Sequence, residues 1–261
     1  MKMAVPLPLD VKLMNLSSLV LCLVFAVLLV STLATWLARQ PLFAIRGISV
    51  GGDVTHNNAV TLRANVAPQL SGTFLTLDLQ KARRAFEAVP WVRHAVVRRE
   101  FPLRLKVQLQ EHQARAYWGT EDESQLVNSF GEVFEANLGE VEQDALPSLA
   151  GPPGQAGAVL AMHQALNPQF QAMDMNMEQL ELGVQGNWRA RLDNGALIEL
   201  GSGSTTDVQS RVQRFLKTLT QVSSHYGRQI DALETADLRH PDGYAIRLRG
   251  VTTLVPDGAK K

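Results

Sequence analysis

A long uncharged run near the N-terminus constrains this chain more than any other feature. Residues 13–38, between Lys12 and Arg39, carry no charged side chain. Within this run, residues 16–38 would span roughly 34 Å as a helix at about 1.5 Å per residue, and a bilayer hydrocarbon core is about 30 Å thick. Trp36 lies near the far end, where an aromatic ring at the membrane–water interface is typical. The run predicts a transmembrane helix over residues 13–38.

A cleaved signal peptide is the alternative interpretation, because Thr32 and Ala34 form a small-residue pattern typical of a cleavage site. The apolar segments of signal peptides are only about 7–15 residues long, so the longer run favours an anchor that stays in the chain. The charges leave its orientation open, since two lysines precede the run and two arginines follow it closely. Everything after Gln40 is expected on one side of the membrane.

The segment 42–112 predicts a compact β-α-α-β-β unit. Alternating apolar residues at 41–53 end in Gly-Gly-Asp and indicate a strand followed by a turn. Two short helices come next. Thr55 or Asn57 is expected to cap the first helix, and Asp78 the second. The stretches VRHAVVRRE and LRLKVQLQE then indicate two strands joined by a turn.

The last of these strands alternates apolar and polar side chains almost without error. The apolar positions, expected on the face that the two helices cover, are Leu103, Leu105, Val107 and Leu109. The other face is expected to be polar, basic and open to water. Two interpretations of this basic face stay open: a solvated surface, or a docking surface for a protein or for anionic lipid. Its residues are Arg93, Arg98, Arg99, Arg104 and Lys106.

Nucleic acid is not expected as the partner of the basic face. No aromatic side chains are interleaved with the basic ones to stack on bases, no DNA-binding motif is present, and a membrane anchor lies upstream. The formal net charge of the chain is zero, so its total charge favours no charged partner. The block 120–144 contains many acidic residues and no basic ones, which is typical of a solvated face.

Residues 113–258 predict a second, β-rich domain with packed helices. A hairpin is expected to turn at Asn194–Gly195, and the last two strands are expected to flank a turn at 240–243. One helical pattern is expected to stop at Pro168, and another helix, from about 207 to 225, is expected to pack on a sheet. The fold class is therefore α+β, with one transmembrane helix, a β-α-α-β-β domain and a mixed β domain.

No catalytic, cofactor or metal site is expected. The six histidines show no ligand spacing, and neither a G-x-S-x-G nucleophile elbow nor a P-loop is present. The segment Gly201-x-Gly203-x-x-Thr206 resembles part of a dinucleotide-binding motif. Its third glycine is missing and its strand belongs to a hairpin, so its residues are expected to form a turn and a helix cap. Cys22 stands alone, which excludes an intrachain disulfide. We expect no enzymatic activity and no small-molecule substrate.

Several stretches resemble the FtsQ family of bacterial cell division proteins. The resemblance is carried by the anchor, by FAIRGISVGGD, by GTFLTLDLQKARRAFEAVPWVRHAVVRREFPLRLKVQLQEHQARAYW, and later by LVNSFGEVFEA and LPSLAGPPG. It covers nearly the whole chain. The first unit after the anchor is similar to a POTRA domain, a module also found in outer-membrane assembly and two-partner secretion proteins.

The resemblance implies a single-pass protein of the inner membrane at the division septum. Residues 1–12 would be a cytoplasmic tail and the C-terminal body would lie in the periplasm. The protein would be a scaffold that recruits FtsB and FtsL and links early division proteins to septal peptidoglycan synthesis proteins. The alternative is a chaperone-like POTRA module for secretion or outer-membrane assembly. That role normally requires several tandem units or a β-barrel, and one unit is predicted here.

The main partner site is expected at the terminal strand and the turn before it. Tyr244, Ile246 and Leu248 are expected to pack on the body, which would leave an open strand edge for an incoming segment. In the FtsQ family the corresponding region receives FtsB. The alternative is a protected edge without a partner. The residues predicted to bind the partner are Leu238, Arg239, His240, Asp242, Gly243, Tyr244, Ile246, Arg247 and Leu248.

Overall fold

The computed structural model describes residues 9–119, 125–141, 146–240 and 242–251. Most of the predicted tail, five of the eight acidic residues of the block 120–144, Pro241 of the predicted turn, and the end of the predicted second domain lie outside the described residues. The chain divides into two compact units, Met1–Glu111 and His112–Lys261.

The N-terminal helix, α1, covers Leu9–Ala38 and contains the predicted transmembrane segment. Its stretch Leu13–Ala38 has a mean hydropathy of 2.6, and no part of its most apolar window is buried inside the protein. A helix that is apolar and exposed on all sides is typical of a membrane span. It is the one such helix in the described part of the chain, and it indicates a single-pass membrane protein.

The first unit contains the predicted β-α-α-β-β order. Its elements are β1 (Gly47–Gly52), α2 (Ala59–Val66), α3 (Leu79–Glu87), β2 (Val92–Glu100) and β3 (Arg104–Glu111). The strands form a sheet in the order β1-β3-β2, in which β1 is parallel and β2 antiparallel to β3. The first strand begins later than predicted, because Pro41–Phe43 forms a short 3-10 helix.

Short polar side chains cap the N-termini of both helices of this unit. Asp78 caps α3, as predicted, and accepts hydrogen bonds from two N–H groups of the first turn. The cap of α2 is Asn58, so the prediction of Thr55 or Asn57 is wrong. The physical reason is that Glu111 takes the Asn57 backbone N–H, which a Thr55 cap would need. The side-chain amide of Asn57 is itself held by Glu111 and by the carbonyl of Pro90.

Helices α2 and α3 cover one face of the three-stranded sheet. Buried and exposed positions alternate along the whole of β3, which confirms the predicted strand pattern. Leu103 is the exception, because it lies in the turn before β3 with a φ of 59°. The buried apolar residues of this core include Leu62, Val66, Phe86, Val107 and Leu109.

The second unit is built on one nine-stranded sheet. Its strands are β4 (Ala114–Trp118), β5 (Gln125–Asn128), β6 (Val133–Phe134), β7 (Ser148–Ala150), β8 (Met177–Leu182), β9 (Asn187–Leu192), β10 (Leu197–Ser202), β11 (Leu233–Asp237) and β12 (Ala245–Leu248). Their order is β12-β11-β10-β9-β8-β7-β4-β5-β6. The antiparallel pairs β9–β10 and β11–β12 confirm the predicted pairing of these strands.

Two helices, α4 (Ala156–Gln171) and α5 (Thr205–His225), pack against each other and against this sheet. Helix α5 begins with a capping box formed by Ser204 and Asp207, so the predicted helix cap is confirmed. The predicted stop at Pro168 is wrong, because α4 continues for three more residues. Phe170 is fully buried there, and its packing holds the last turn of α4 against the core.

A buried carboxylate fastens the end of β3 to the loop before α2. The side chain of Glu111 accepts backbone hydrogen bonds from Thr55, His56 and Asn57 at 2.8, 2.9 and 2.9 Å. It also accepts one from the side-chain amide of Asn57. Burial raises the pKa of Glu111, and these hydrogen bonds, led by that of His56, outweigh the burial and lower it. The fold therefore favours the charged carboxylate.

We expect Glu111→Gln to destabilise the first unit by about 2 kcal/mol, because the amide would turn a donor toward N–H groups that need an acceptor. The contribution of Glu111 is present above the ordinary carboxylate pKa and is lost as pH falls through its lowered folded-state pKa. Thermal unfolding of the detergent-solubilised protein at neutral and acid pH measures both effects. Asp53→Asn, an exposed change in the same corner, is the control. Equal effects of the two changes would contradict this role of Glu111.

Candidate partner-binding surfaces

Strand β12 lies at one end of the nine-stranded sheet. It pairs antiparallel with β11, with Ala245 opposite Asp237 and Arg247 opposite Thr235. Within the described residues no strand pairs with its other side. An unpaired strand edge presents a row of backbone donors and acceptors, which is a template for an added strand.

One hydrogen bond identifies which backbone groups of β12 point outward. The N–H of Arg249 donates to the carbonyl of Ala232, at 2.7 Å, on the β11 side. Because backbone groups alternate in direction along a strand, the N–H groups of Ala245 and Arg247 also face β11. The N–H groups of Ile246 and Leu248 and the C=O of Ile246 therefore face away from the sheet, on the open edge. The C=O of Leu248 already accepts a hydrogen bond from the N–H of Val251, at 3.2 Å.

Apolar side chains hold β12 against the body of the second unit. Leu248 is buried, and Tyr244 and Ile246 are half-buried and pack on the same core, as expected. The Tyr244 ring meets Phe215 of α5 edge-on, with centroids 5.1 Å apart, and its hydroxyl lies 2.6 Å from Oγ1 of Thr218. These contacts give the open edge a rigid backing.

Charged side chains line the face of β12 that points away from the core. Arg247 lies 3.0 Å from the carboxylate of Glu234 on β11, and Arg249 lies 4.0 Å from it. Glu234 is not among the residues that the sequence patterns predict for this site. The sequence signal for it was an acidic residue between the apolar positions of β11, which could pair with the basic residues of β12.

A second ion pair lies where β11 ends. The Arg239 guanidinium donates to the Asp237 carboxylate at 2.9 and 2.6 Å. This hydrogen bonding lowers the pKa of Asp237 to about 2. The carboxylate therefore stays charged at neutral pH, and it fixes the direction of Arg239 as the chain leaves the sheet.

The structure brings most, but not all, of the predicted binding residues to the surface. Arg239, His240, Asp242 and Arg247 are exposed, and Gly243 is half-exposed. Leu238 is only 2% exposed and belongs to the core, so its side chain supports the site and is not available to a partner.

Only some of the residues predicted for the basic face lie together on one face of the sheet. Arg98 and Lys106 are exposed and lie opposite each other on β2 and β3. Arg104, two residues before Lys106 on the same face, reaches Ser49 of β1, with 3.2 Å between Nη2 and Oγ. Arg93 is half-exposed, and its Nη1 lies 3.5 Å from Oε1 of Gln110.

Arg99 does not belong to that face. It lies opposite Leu105, one of the core positions of β3, and therefore points to the side of the sheet that the helices cover. Its guanidinium donates to the backbone carbonyls of Phe74 and Leu77 at 2.6 and 2.7 Å, and to that of Leu75 at 3.4 Å. Arg99 fixes a loop, and the prediction that groups it with the basic face is corrected here.

The glycine-containing end of β10 binds a side chain of the protein itself. The guanidinium of Arg211 on α5 donates to the carbonyls of Leu200 and Ser202 on either side of Gly201. A Cβ at Gly201 would collide with that guanidinium. The turn is shorter than predicted, because Gly201 belongs to β10, whereas Gly203 and Ser204 lead into α5 and Ser204 is its cap. Among the described residues, no group of three or more His, Cys, Asp or Glu side chains is placed to hold a metal ion.

Comparison with known proteins gives matches across both units. Residues 43–112 match the family described as "POTRA domain, FtsQ-type", and residues 116–239 match "Cell division protein FtsQ/DivIB, C-terminal". The chain belongs to the FtsQ/DivIB family. The C-terminal FtsQ/DivIB match ends at residue 239, before β12 begins, so it does not itself bear on the predicted binding strand.

Individual FtsQ proteins match over most of their length. The "Cell division protein FtsQ" of Thiomonas arsenitoxydans is 40% identical over 247 residues, which cover 94% of this chain and 90% of that protein. The FtsQ of Burkholderia pseudomallei is 39% identical over 254 residues, covering 97% and 99%. That of Bordetella pertussis is 34% identical over 257 residues, covering 92% of each.

The different placements of Arg98 and Arg99 in this FtsQ-family chain lead to a test by substitution. Replacing Arg98 and Lys106 together by Gln should change the free energy of unfolding by no more than about 0.5 kcal/mol, because both are exposed. Arg99→Gln alone should cost about 1 kcal/mol or more, because it leaves three loop carbonyls without their donor. Urea unfolding of the three proteins measures the difference, and a larger loss in the double variant would contradict these placements.

Proposed function

We propose that this chain is a non-enzymatic scaffold of the bacterial division apparatus, anchored in the inner membrane by α1. In this proposal the N-terminus is cytoplasmic, the two units are periplasmic, and the protein acts at the septum. It recruits FtsB and FtsL and links early division proteins to septal peptidoglycan synthesis. Membership of the FtsQ/DivIB family supports the role in division. The open edge of β12 is the observation that carries the scaffold role.

Strand addition is the binding mechanism that the geometry of β12 favours. An extended FtsB segment would pair with the outward N–H and C=O groups of Ile246 and with the outward N–H of Leu248. Each backbone hydrogen bond contributes about 0.5–1.5 kcal/mol, so a few of them need help from side chains. The exposed charges of Arg239, Asp242 and Arg247 surround the edge and would select the register of the incoming segment.

The rigid backing of β12 makes this edge suited to capture a partner. Tyr244 and Leu248 hold the strand on α5 and the core before a partner arrives. A preformed edge does not have to be ordered on binding, so less conformational entropy is lost. The chaperone-like alternative for a POTRA unit has less support. That role normally uses several tandem units, whereas here a single β-α-α-β-β unit is followed by a sheet whose edge strand β12 is open to a partner.

We expect Ile246→Pro to abolish capture of FtsB while the second unit stays folded. Proline removes the outward N–H of residue 246 and leaves the hydrogen bonds of β12 to β11 in place, since those use Ala245 and Arg247. Ile246→Ala is the matched control, because it removes the same side chain and keeps the N–H. Capture of FtsB by the purified full-length variants measures the effect. If Ile246→Pro captures FtsB as well as Ile246→Ala does, the partner does not add a strand here.

The proposed orientation has a separate test. A reporter that is active only outside the cytoplasm, fused after Lys261, should be active and should remain in the membrane fraction. A reporter that is active only inside the cytoplasm, fused at the same position, is the control and should be silent. Release of the body as a shorter soluble product would contradict an uncleaved α1.

A further inference from the structure

Two exposed leucines come together just beyond the end of α1. Leu42 lies in the short 3-10 helix after α1 and is 78% exposed, and Leu75 lies in the loop before α3 and is 50% exposed. The N–H of Phe74 donates to the carbonyl of Phe43 at 2.7 Å. Because this bond joins the direct neighbours of both leucines, it brings the two segments that carry them together, and we call these two exposed side chains the leucine patch.

This leucine patch lies at the level where the membrane span ends. The hydroxyl of Thr73 donates to the carbonyl of Ala38, the last residue of the span, at 2.6 Å. Leu75 is two residues from Thr73, which is at most about 7 Å along the chain. The headgroup layer is about 5–8 Å thick on each side of the hydrocarbon core. Leu75 is therefore within reach of the headgroups that surround the end of α1.

The loop that carries Leu75 is rigid. Thr73 and Thr76 exchange hydrogen bonds between their backbone N–H groups and hydroxyls at 3.0 and 3.4 Å. The N–H of Leu77 donates back to the carbonyl of Thr73 at 2.8 Å. Arg99 then binds three carbonyls of the same loop from β2. These bonds hold the Leu75 side chain outward, where it loses little freedom on contact with another surface.

We propose that Leu42 and Leu75 insert into the lipid headgroup layer and dock the first unit on the bilayer in which α1 ends. Direct continuity of the patch with the membrane span favours lipid over a protein partner. The neighbouring Arg39 and Arg46 are exposed and carry charges that suit anionic headgroups. Arg99 is the positioning residue, because it fixes the loop without belonging to the patch. The inference rests on α1 spanning the membrane.

The test uses the full-length chain in nanodiscs that contain anionic lipid. In a Cys22→Ser background, single cysteines at Leu42, at Leu75 and at the control position Gln108 carry an environment-sensitive fluorophore. Gln108 is exposed on the open face of the sheet. Lipid with a spin label on its headgroup should quench the probes at positions 42 and 75 well above the probe at 108. Quenching at 75 no stronger than at 108 would overturn the docking.

Two further measurements distinguish a failure of this proposal from a failure of the membrane anchor on which it rests. A probe on the native Cys22, inside α1, should be quenched by lipid that is spin-labelled on its acyl chain. If Cys22 is quenched and Leu75 is not, the anchor stands and the lipid patch is wrong, which would leave a protein as the occupant. If Cys22 is not quenched, both fail. Arg99→Gln should weaken quenching at 75 and leave it unchanged at 42, and equal quenching with and without Arg99 would overturn its positioning role.

Discussion

The backbone of a β-strand presents hydrogen-bonding groups on both sides, and within the described residues β12 has a neighbouring strand on one side only. The second unit is arranged around this constraint. Its core fixes the inner face of β12 through Leu248, and α5 fixes the start of the strand through the ring and hydroxyl of Tyr244. The open edge is therefore already extended and is held in place from its inner face. Such an edge binds another strand more readily than a loop does, because it need not be ordered first.

Arginine has two different uses in this protein, and its position in a strand decides between them. Arg98 and Arg99 are neighbours, yet one faces water and the other reaches the carbonyls of a loop on the helix-covered side of the sheet. Arg211 likewise binds two carbonyls at the end of β10. A planar guanidinium has five donors and can bridge adjacent carbonyls, which lysine cannot do in the same way. The basic surface of this protein therefore contains fewer residues than the basic cluster in its sequence.

The first unit combines rigidity with closeness to the membrane. Glu111 joins the end of β3 to the loop before α2, and Arg99 joins the middle of the unit to the loop before α3. The second of these loops contacts the end of α1 through Thr73. These polar contacts fix the two loops relative to the sheet and to the end of α1. The FtsQ/DivIB family membership gives that positioning a context in cell division.

The sequence by itself determined the features that depend on local periodicity and on local caps. These are the apolar helix, the β-α-α-β-β order, the alternation along β3, the cap at Asp78 and the last two strands. Only the tertiary structure decided that Asn58 caps α2, since Glu111, distant in sequence, takes both the backbone N–H and the side-chain amide of Asn57. It also decided that Leu238 is buried and that β12 is an edge. Strand order and burial depend on pairing between segments far apart in the chain, and no local pattern encodes which segments will meet.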